Sequence, residues 1–247
     1  MTNNGSDGYE GTTVSAYSIN PSTGALLPVP GSSFAAGNVP GGVTFNPTGT
    51  FAYMTSWGAD GTVSAFRINP DTGALMPVPD SPFAAGNRPE GVTVNPAGTF
   101  AYVTNRGADG TVSAFRINPD TGALTPVPGS PFAAGWHAHP ITINPAGTFA
   151  YVTNGSRVGN GTVSAFRINP DTGALTPVPG SPFAAGGFPD SVTINPAGTF
   201  AYVVIEGYTD SVSAYRINAG TGALTPVPGS PSQTQLNSIS VTIVQTR

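Results

Sequence analysis

Glu90, His139 and Asp190 stand at matching positions in three consecutive copies of one repeated segment, each just ahead of a short apolar run. A carboxylate, an imidazole and a second carboxylate brought to one place can serve as base, acid and orienter in a hydrolytic step. The same three, with His137, are the residues that would hold a divalent metal if one binds. His137 and His139 are the only histidines and lie two apart, so in extended chain both rings face one side, a spacing found in metal sites. Trp136 beside them offers a ring face for stacking, or a plug. Arg88, Arg106 and Arg157 break the repeat nearby and can hold a carboxylate or phosphate. Glu206, Tyr208 and Trp57 are the corresponding departures in other copies. The competing reading makes all of these polar rim residues satisfied by water or backbone.

The repeat that carries these residues covers nearly the whole chain. Its marker valine recurs at Val14, Val63, Val112, Val163 and Val212, in steps of 49, 49, 51 and 49 residues. A fixed period of this size signals a solenoid, a propeller or an array, and its uniformity makes the 247 residues one domain. Charge is scarce, at 8%, with a net charge of −4, and all eight basic residues are arginine. No basic patch can neutralise a run of phosphates, so nucleic acid is not an expected partner. Cysteine is absent, which excludes thiol catalysis, disulfides and thiolate metal sites. No apolar run reaches the length of a spanning helix, so membrane insertion is not expected. Residues 1–10, MTNNGSDGYE, lack the basic end and apolar core of a secretory signal. That leaves either a cytoplasmic protein or a trimmed extracytoplasmic one.

Each unit reads as four strands. In the second full copy they are residues 91–95 (GVTVN), 100–105 (FAYVTN), 111–118 (TVSAFRIN) and 123–132 (ALTPVPGSPF), joined by the turns PAGT and PDTG. Val, Thr, Phe and Tyr favour the pleated strand, and Asn, Asp, Pro and Gly supply the turn dihedrals. Pro126, Pro128 and Pro131 cannot donate to a ladder, which puts the fourth strand at a sheet edge. Phe100 and Tyr102 point to one face of the second strand, Ala101 and Val103 to the other. Sheets with one bulky and one small face stack on copies of themselves, and four-stranded sheets set radially make an all-β propeller. Residues 1–3 (MTN) match the end of a second strand and residues 240–244 (SVTIV) a first strand. Their pairing would close a five-bladed ring as a monomer. A fragment of a larger ring and closure between chains are the alternatives.

The recurring YVTN at Tyr102–Asn105 and Tyr151–Asn154, set in NPAGTFAYVTN and SAFRINPDTGALTPVPGSPFAAG, resembles the YVTN-repeat, lactonase-like β-propellers. The likeness covers essentially the whole chain. It implies hydrolysis or formation of a lactone by His, Arg and acidic groups around a channel mouth, on a ring that usually has seven blades. Turns such as NPAGT and NPDTG repeat almost verbatim. Variation gathers ahead of the first strand and between the second and third, loops that project from one face of a propeller. One diverse face on a repetitive scaffold is where a ligand is expected. The resulting expectation is a small anionic or polyhydroxylated ligand there, no resident cofactor, and catalysis by His139, Glu90 and His137. Water would be activated by His139 or Glu90, while Arg88 and His137 hold the developing oxyanion. Against this stand a non-catalytic interaction propeller and a lectin-like ring with one site per blade. Arg67, Arg116, Arg167 and Arg216 recur in the third strands and read as structural, pairing with turn aspartates. Asp60, Asp109 and Asp210 read as turn chemistry.

Overall fold

The computed structural model describes residues 2–3, 11–57, 61–107, 109–155, 159–206 and 210–234. All regular structure in these residues is β-strand, and every pairing is antiparallel. No helix among them is long and apolar enough to cross a membrane. Four sheets share one plan. Sheet II consists of Pro89–Val94, Phe100–Asn105, Thr111–Ile117 and, on its outer edge, Leu124–Pro126 with Phe132–Ala133. Sheet I runs from Pro40–Phe45 to Phe83–Ala84, sheet III from Ala138–Ile143 to Phe183–Gly186, and sheet IV from Phe188–Ile194 to Ser232–Gln233. Ahead of them, Thr2–Asn3, Thr13–Val14 and Phe34–Ala35 form a small sheet, and Tyr17–Ile19 pairs with Leu26–Pro28. Residues 240–244, and with them the expected ring closure, lie outside the described residues.

The fourth strand departs from the single run expected over residues 123–132. It is two short pieces on the same edge, divided by a turn that turns Val127 into the core. Prolines empty this edge of donors. Where the ladder is broken, a serine side chain replaces it: Ser130 Oγ accepts from the Ala114 amide at 2.9 Å, and Ser32, Ser81, Ser181 and Ser230 do the same in their own copies. The near-verbatim turns are explained similarly. Asn95 Oδ1 accepts from the amides of Thr99 and Phe100, both at 2.9 Å, and Gly98 takes the positive φ of 72° that the turn needs.

Stacking follows the two-faced second strand. Phe100 and Tyr102 enter the core shared with sheet III, beside Ile141, Val152 and Phe166. Ala101 and Val103 enter the core shared with sheet I, beside Phe51 and Tyr53. Each buried tyrosine then reaches across the interface. Tyr53, Tyr102 and Tyr151 donate to the carbonyls of Gly122, Gly173 and Gly222 in the next sheet, at 3.1, 3.0 and 2.9 Å. The recurrent arginines use the same neighbour. Arg67, Arg116 and Arg167 lie over Phe51, Phe100 and Phe149 and donate to the backbone carbonyls of Asp120, Asp171 and Gly220. The partner is thus the turn carbonyl of the next sheet rather than an aspartate side chain, and for that reason Gly220 serves as well as Asp.

The first strands lie innermost. Thr93 Oγ1 donates to the Ile141 carbonyl at 2.8 Å and Thr142 Oγ1 to the Val192 carbonyl at 2.7 Å, stitching one first strand to the next. A Cβ placed on Gly91 would stand 3.0 Å from Pro140, so these strands approach nearly to backbone contact. Antiparallel sheets that face their neighbours and converge on their first strands constitute a β-propeller.

Candidate functional site at the inner strand bulges

Each first strand enters its sheet through a bulge, and the variable residue sits in it. In sheet II the pairing passes from Pro89↔Asn105 to Gly91↔Thr104, leaving Glu90 as the extra residue. In sheet IV it passes from Pro189↔Ile205 to Ser191↔Val204, leaving Asp190. Sheet III skips from Ala138 to Ile141, so His139 and Pro140 lie in the irregularity. Sheet I carries Gly41 and Gly42 there. A bulge bends its strand and re-aims one side chain. Threonines of the second strands fix it from the neighbouring sheet: Thr55 donates to the Glu90 carbonyl and Thr153 to the Asp190 carbonyl, each at 3.0 Å.

The result is convergence. His139 Nδ1 lies 3.5 Å from Glu90 Oε1 on one side and 3.4 Å from Asp190 Oδ1 on the other. Neither approach is a hydrogen bond. Glu90 Oε2 and both ring nitrogens of His139 are buried without a hydrogen bond to protein. Arg106, at the end of the second strand of sheet II, reaches Glu90 Oε1 with Nη1 at 3.4 Å. The His139 side chain is only 2% exposed, against 18% for Glu90, 26% for Arg106 and 27% for Asp190. The carboxylates and the guanidinium are therefore more accessible from solvent than the imidazole.

Burial pushes the Asp190 carboxyl above its ordinary range; His139 and Arg106 oppose that rise and Glu90 adds to it. Glu206 is also raised, chiefly by burial and then by repulsion from Asp190 and Asp210. Glu206 thus belongs electrostatically to the same cluster. Asp210 is buried, which is more than exposed turn chemistry requires. Among the described residues no group of three His, Asp or Glu has the arrangement of a metal site.

The remaining sequence-derived residues fall around this centre at different distances. Trp136 stacks on His137, with ring centroids 3.7 Å apart and planes within 10°. His137 adopts a positive φ of 50°, as do Arg88 and Val39 at the same place in their copies (54° and 49°). This kink sends the chain into the bulge that follows. Arg88 is exposed at the rim. Trp57 belongs to the neighbouring position: a Cβ on Gly41 would stand 3.5 Å from its indole nitrogen and 3.0 Å from the Glu90 carbonyl. Arg157 and Tyr208 lie outside the described residues. One participant escaped the sequence reading. The Phe188 ring makes edge contacts with both His139 and His137, with centroids 5.5 and 6.5 Å apart. Its only signal was that it takes the place of Val39, Arg88 and His137 in its own copy. Both variable loops share this face, since the amides of Trp57, Arg106 and Gly155 donate to the carbonyls of Val39, Arg88 and His137.

The sequence model of the lactonase, seven-bladed β-propeller family matches residues 11–181 and 127–241. The chain belongs to that family. Solved lactonase-type propellers resemble it across most of its length. A provisionally assigned 6-phosphogluconolactonase of Bacteroides uniformis superposes with a TM-score of 0.75 at 22% identity, covering 90% of this chain and 65% of its own. A second such protein, from Bacteroides fragilis, gives 0.73 and 22%, covering 93% and 66%. The periplasmic gluconolactonase of Pseudomonas aeruginosa gives 0.69 and 19%, covering 95% and 72%. At such identities the likeness is one of fold, and the chain spans just under two thirds of the two Bacteroides proteins. No curated protein sequence matches it.

Proposed function

We propose that the bulge cluster is the binding and reaction site of a lactonase, acting on a sugar lactone that carries an anionic group. One observation carries the reading: His139, Glu90 and Asp190 come from three separate sheets and meet within 3.5 Å of one ring nitrogen. Membership of the lactonase family supports it, and so does the naming of structural neighbours as 6-phosphogluconolactonases. Asp190 takes a proton from water, and the water oxygen adds to the lactone carbonyl carbon. Collapse of the tetrahedral intermediate then breaks the ring C–O bond, and the ring oxygen takes up a proton to give the hydroxy acid. A carboxylate whose pKa is raised by burial is a stronger base than a free one. His139 is a positioning residue, holding Asp190 and Glu90 in register from behind. Arg106 meets the anionic group of the substrate, and Trp136 with Arg88 lines the rim. Phosphorylated and plain gluconolactone should both be hydrolysed above the spontaneous rate. Replacing Asp190 with Asn should lower kcat by roughly 10²-fold or more, and His139→Ala should lower it as well. Unchanged turnover in either variant eliminates the assignment. If the wild-type chain turns over neither lactone, sugar titration decides what remains, with a stoichiometry near one favouring a central binding site and near five a lectin.

Five copies of the marker valine and the first-strand sequence at residues 240–244 support a five-bladed, monomeric ring. In that reading the C-terminal segment supplies the first strand to the sheet that Thr2–Asn3 and Thr13–Val14 begin.

A further inference from the structure

The seventh residue from the phenylalanine that opens each second strand is Trp57, Arg106, Gly155 or Glu206. All four stand at one place in their sheets. The amides of Trp57, Arg106 and Gly155 donate to the carbonyls of Val39, Arg88 and His137, and Glu206 pairs with Phe188, so each lies one step outside the bulge of its own sheet. What they meet there differs. Arg106 Nη1 reaches Glu90 Oε1 at 3.4 Å, and Glu206 feels the charge of Asp190. Gly155 has no side chain, and the Phe188 ring fills its place, 2.8 Å from where a Cβ would stand.

In sheet I the order is reversed. The bulge residue Gly41 has no side chain, and the outer residue is the largest of the four, Trp57. A Cβ on Gly41 would stand 3.5 Å from the indole nitrogen and 3.0 Å from the Glu90 carbonyl, so the indole leans over the bulge beside sheet II. Trp57 is partly exposed. Among the described residues its ring contacts no other aromatic ring and its indole N–H meets no acceptor. Trp136, by contrast, is stacked on His137 with its nitrogen buried.

An indole offers an apolar face and one N–H that donates and cannot accept. The Glu90 carboxylate on the neighbouring sheet, 18% exposed, accepts. A hydroxyl group serves both, because it donates and accepts, and the C–H side of a polyol chain suits the ring face. A second anion would satisfy the indole and be repelled by Glu90, while a bare alkyl chain would leave both polar groups without a partner.

We infer that Trp57, with Glu90 beside it, is the subsite that recognises the hydroxyl-bearing chain of the substrate and sets a preference for sugar lactones over unsubstituted ones. The inference rests on the lactonase reading of the bulge cluster. With the carbonyl carbon at Asp190 of sheet IV, the hydroxyl-bearing carbons run past His139 and Glu90 toward sheet I, where the ring and N–H of Trp57 receive them.

Trp57 and Trp136 are the only tryptophans, so Trp136→Phe makes Trp57 the sole indole reporter. Gluconate, the stable hydroxy acid, and hexanoate, an acid of equal chain length without hydroxyls, are titrated against the full-length chain by fluorescence and calorimetry. Gluconate should change the Trp57 emission saturably and hexanoate should not. Trp57→Phe keeps a ring face and loses the N–H, and should weaken gluconate binding about 2–10-fold, the effect of one hydrogen bond. Trp57→Ala loses both and should weaken it by about tenfold or more. The ratio of kcat/KM for gluconolactone to that for δ-valerolactone should fall by similar factors. If the alanine chain is unstable, the phenylalanine variant decides. Gluconate binding and a lactone ratio that match wild type in these variants overturn the inference, while wild-type turnover of gluconolactone still upholds the lactonase reading. Gluconate binding that moves the Trp57 emission without any turnover supports the subsite and removes that reading. A wild-type chain that neither binds gluconate nor hydrolyses its lactone removes both.

Discussion

Glu206 shows how one residue can lower stability and still be retained. Its carboxyl is raised, mainly by burial and next by the neighbouring charges of Asp190 and Asp210. A carboxyl whose pKa is higher in the folded chain than in the unfolded one binds its proton more tightly when folded. Stability from this group is therefore complete at low pH and is lost as pH rises through its raised value. Glu206→Gln removes the repulsion, so the variant should melt higher than wild type at pH 7. The two should converge toward pH 4, and added salt should shrink the gap. Equal melting temperatures at pH 7 in low salt would refute this placement of Glu206. Asp190 follows the same sign: a carboxyl raised by burial costs folding energy once ionised and gains proton affinity.

At the scale of the element, the turn between the third and fourth strands is the joint that sets one sheet against the next. Gly122 has φ near 77°, receives the Tyr53 hydroxyl and lies against the Phe51 ring, which a Cβ would strike. Gly122→Ala combines a left-handed conformation that alanine resists with overpacking of an aromatic ring. It should destabilise by roughly 2–4 kcal/mol in urea unfolding. Gly49→Ala, at a turn where a Cβ meets nothing within 4 Å, isolates the dihedral effect and should cost about 1–2 kcal/mol. Equal losses would show that the Phe51 contact contributes nothing. The bulges of the first strands are the second kind of joint. Thr55 and Thr153 hold them from the adjacent sheet, so the site geometry depends on how the sheets stack as much as on the strand that carries each residue.

For the whole molecule, the completion of the ring is a matter of strand register. The register of sheet IV, in which Ser191 pairs with Val204, places residue 240 opposite residue 2 if the C-terminal segment closes the ring. The chain has no cysteine, so a pair introduced there reports cleanly. Thr2→Cys combined with Ser240→Cys should oxidise to a disulfide within one chain and raise the melting temperature. Disulfide-linked dimers would instead indicate closure between chains, and no disulfide would indicate a longer ring.

Much of this architecture was legible in the sequence because it rests on short-range rules. The period, the alternation of Phe and Tyr with Ala and Val, the prolines at the edge and the Asn- and Gly-bearing turns together determine strand order and stacking direction. They also determine that Glu90, His139 and Asp190 occupy one structural position. The tertiary structure alone decided that their side chains meet, which of them is buried and which can be reached, and that Phe188 contacts both histidine rings. The reason is geometric. Repeat spacing assigns a residue to a place along a strand, but a one-residue bulge changes the face to which it points, and burial depends on what the neighbouring sheets bring against it. The arginine contacts teach the same lesson: composition suggested aspartate partners, whereas the packed turns offered backbone carbonyls nearer at hand.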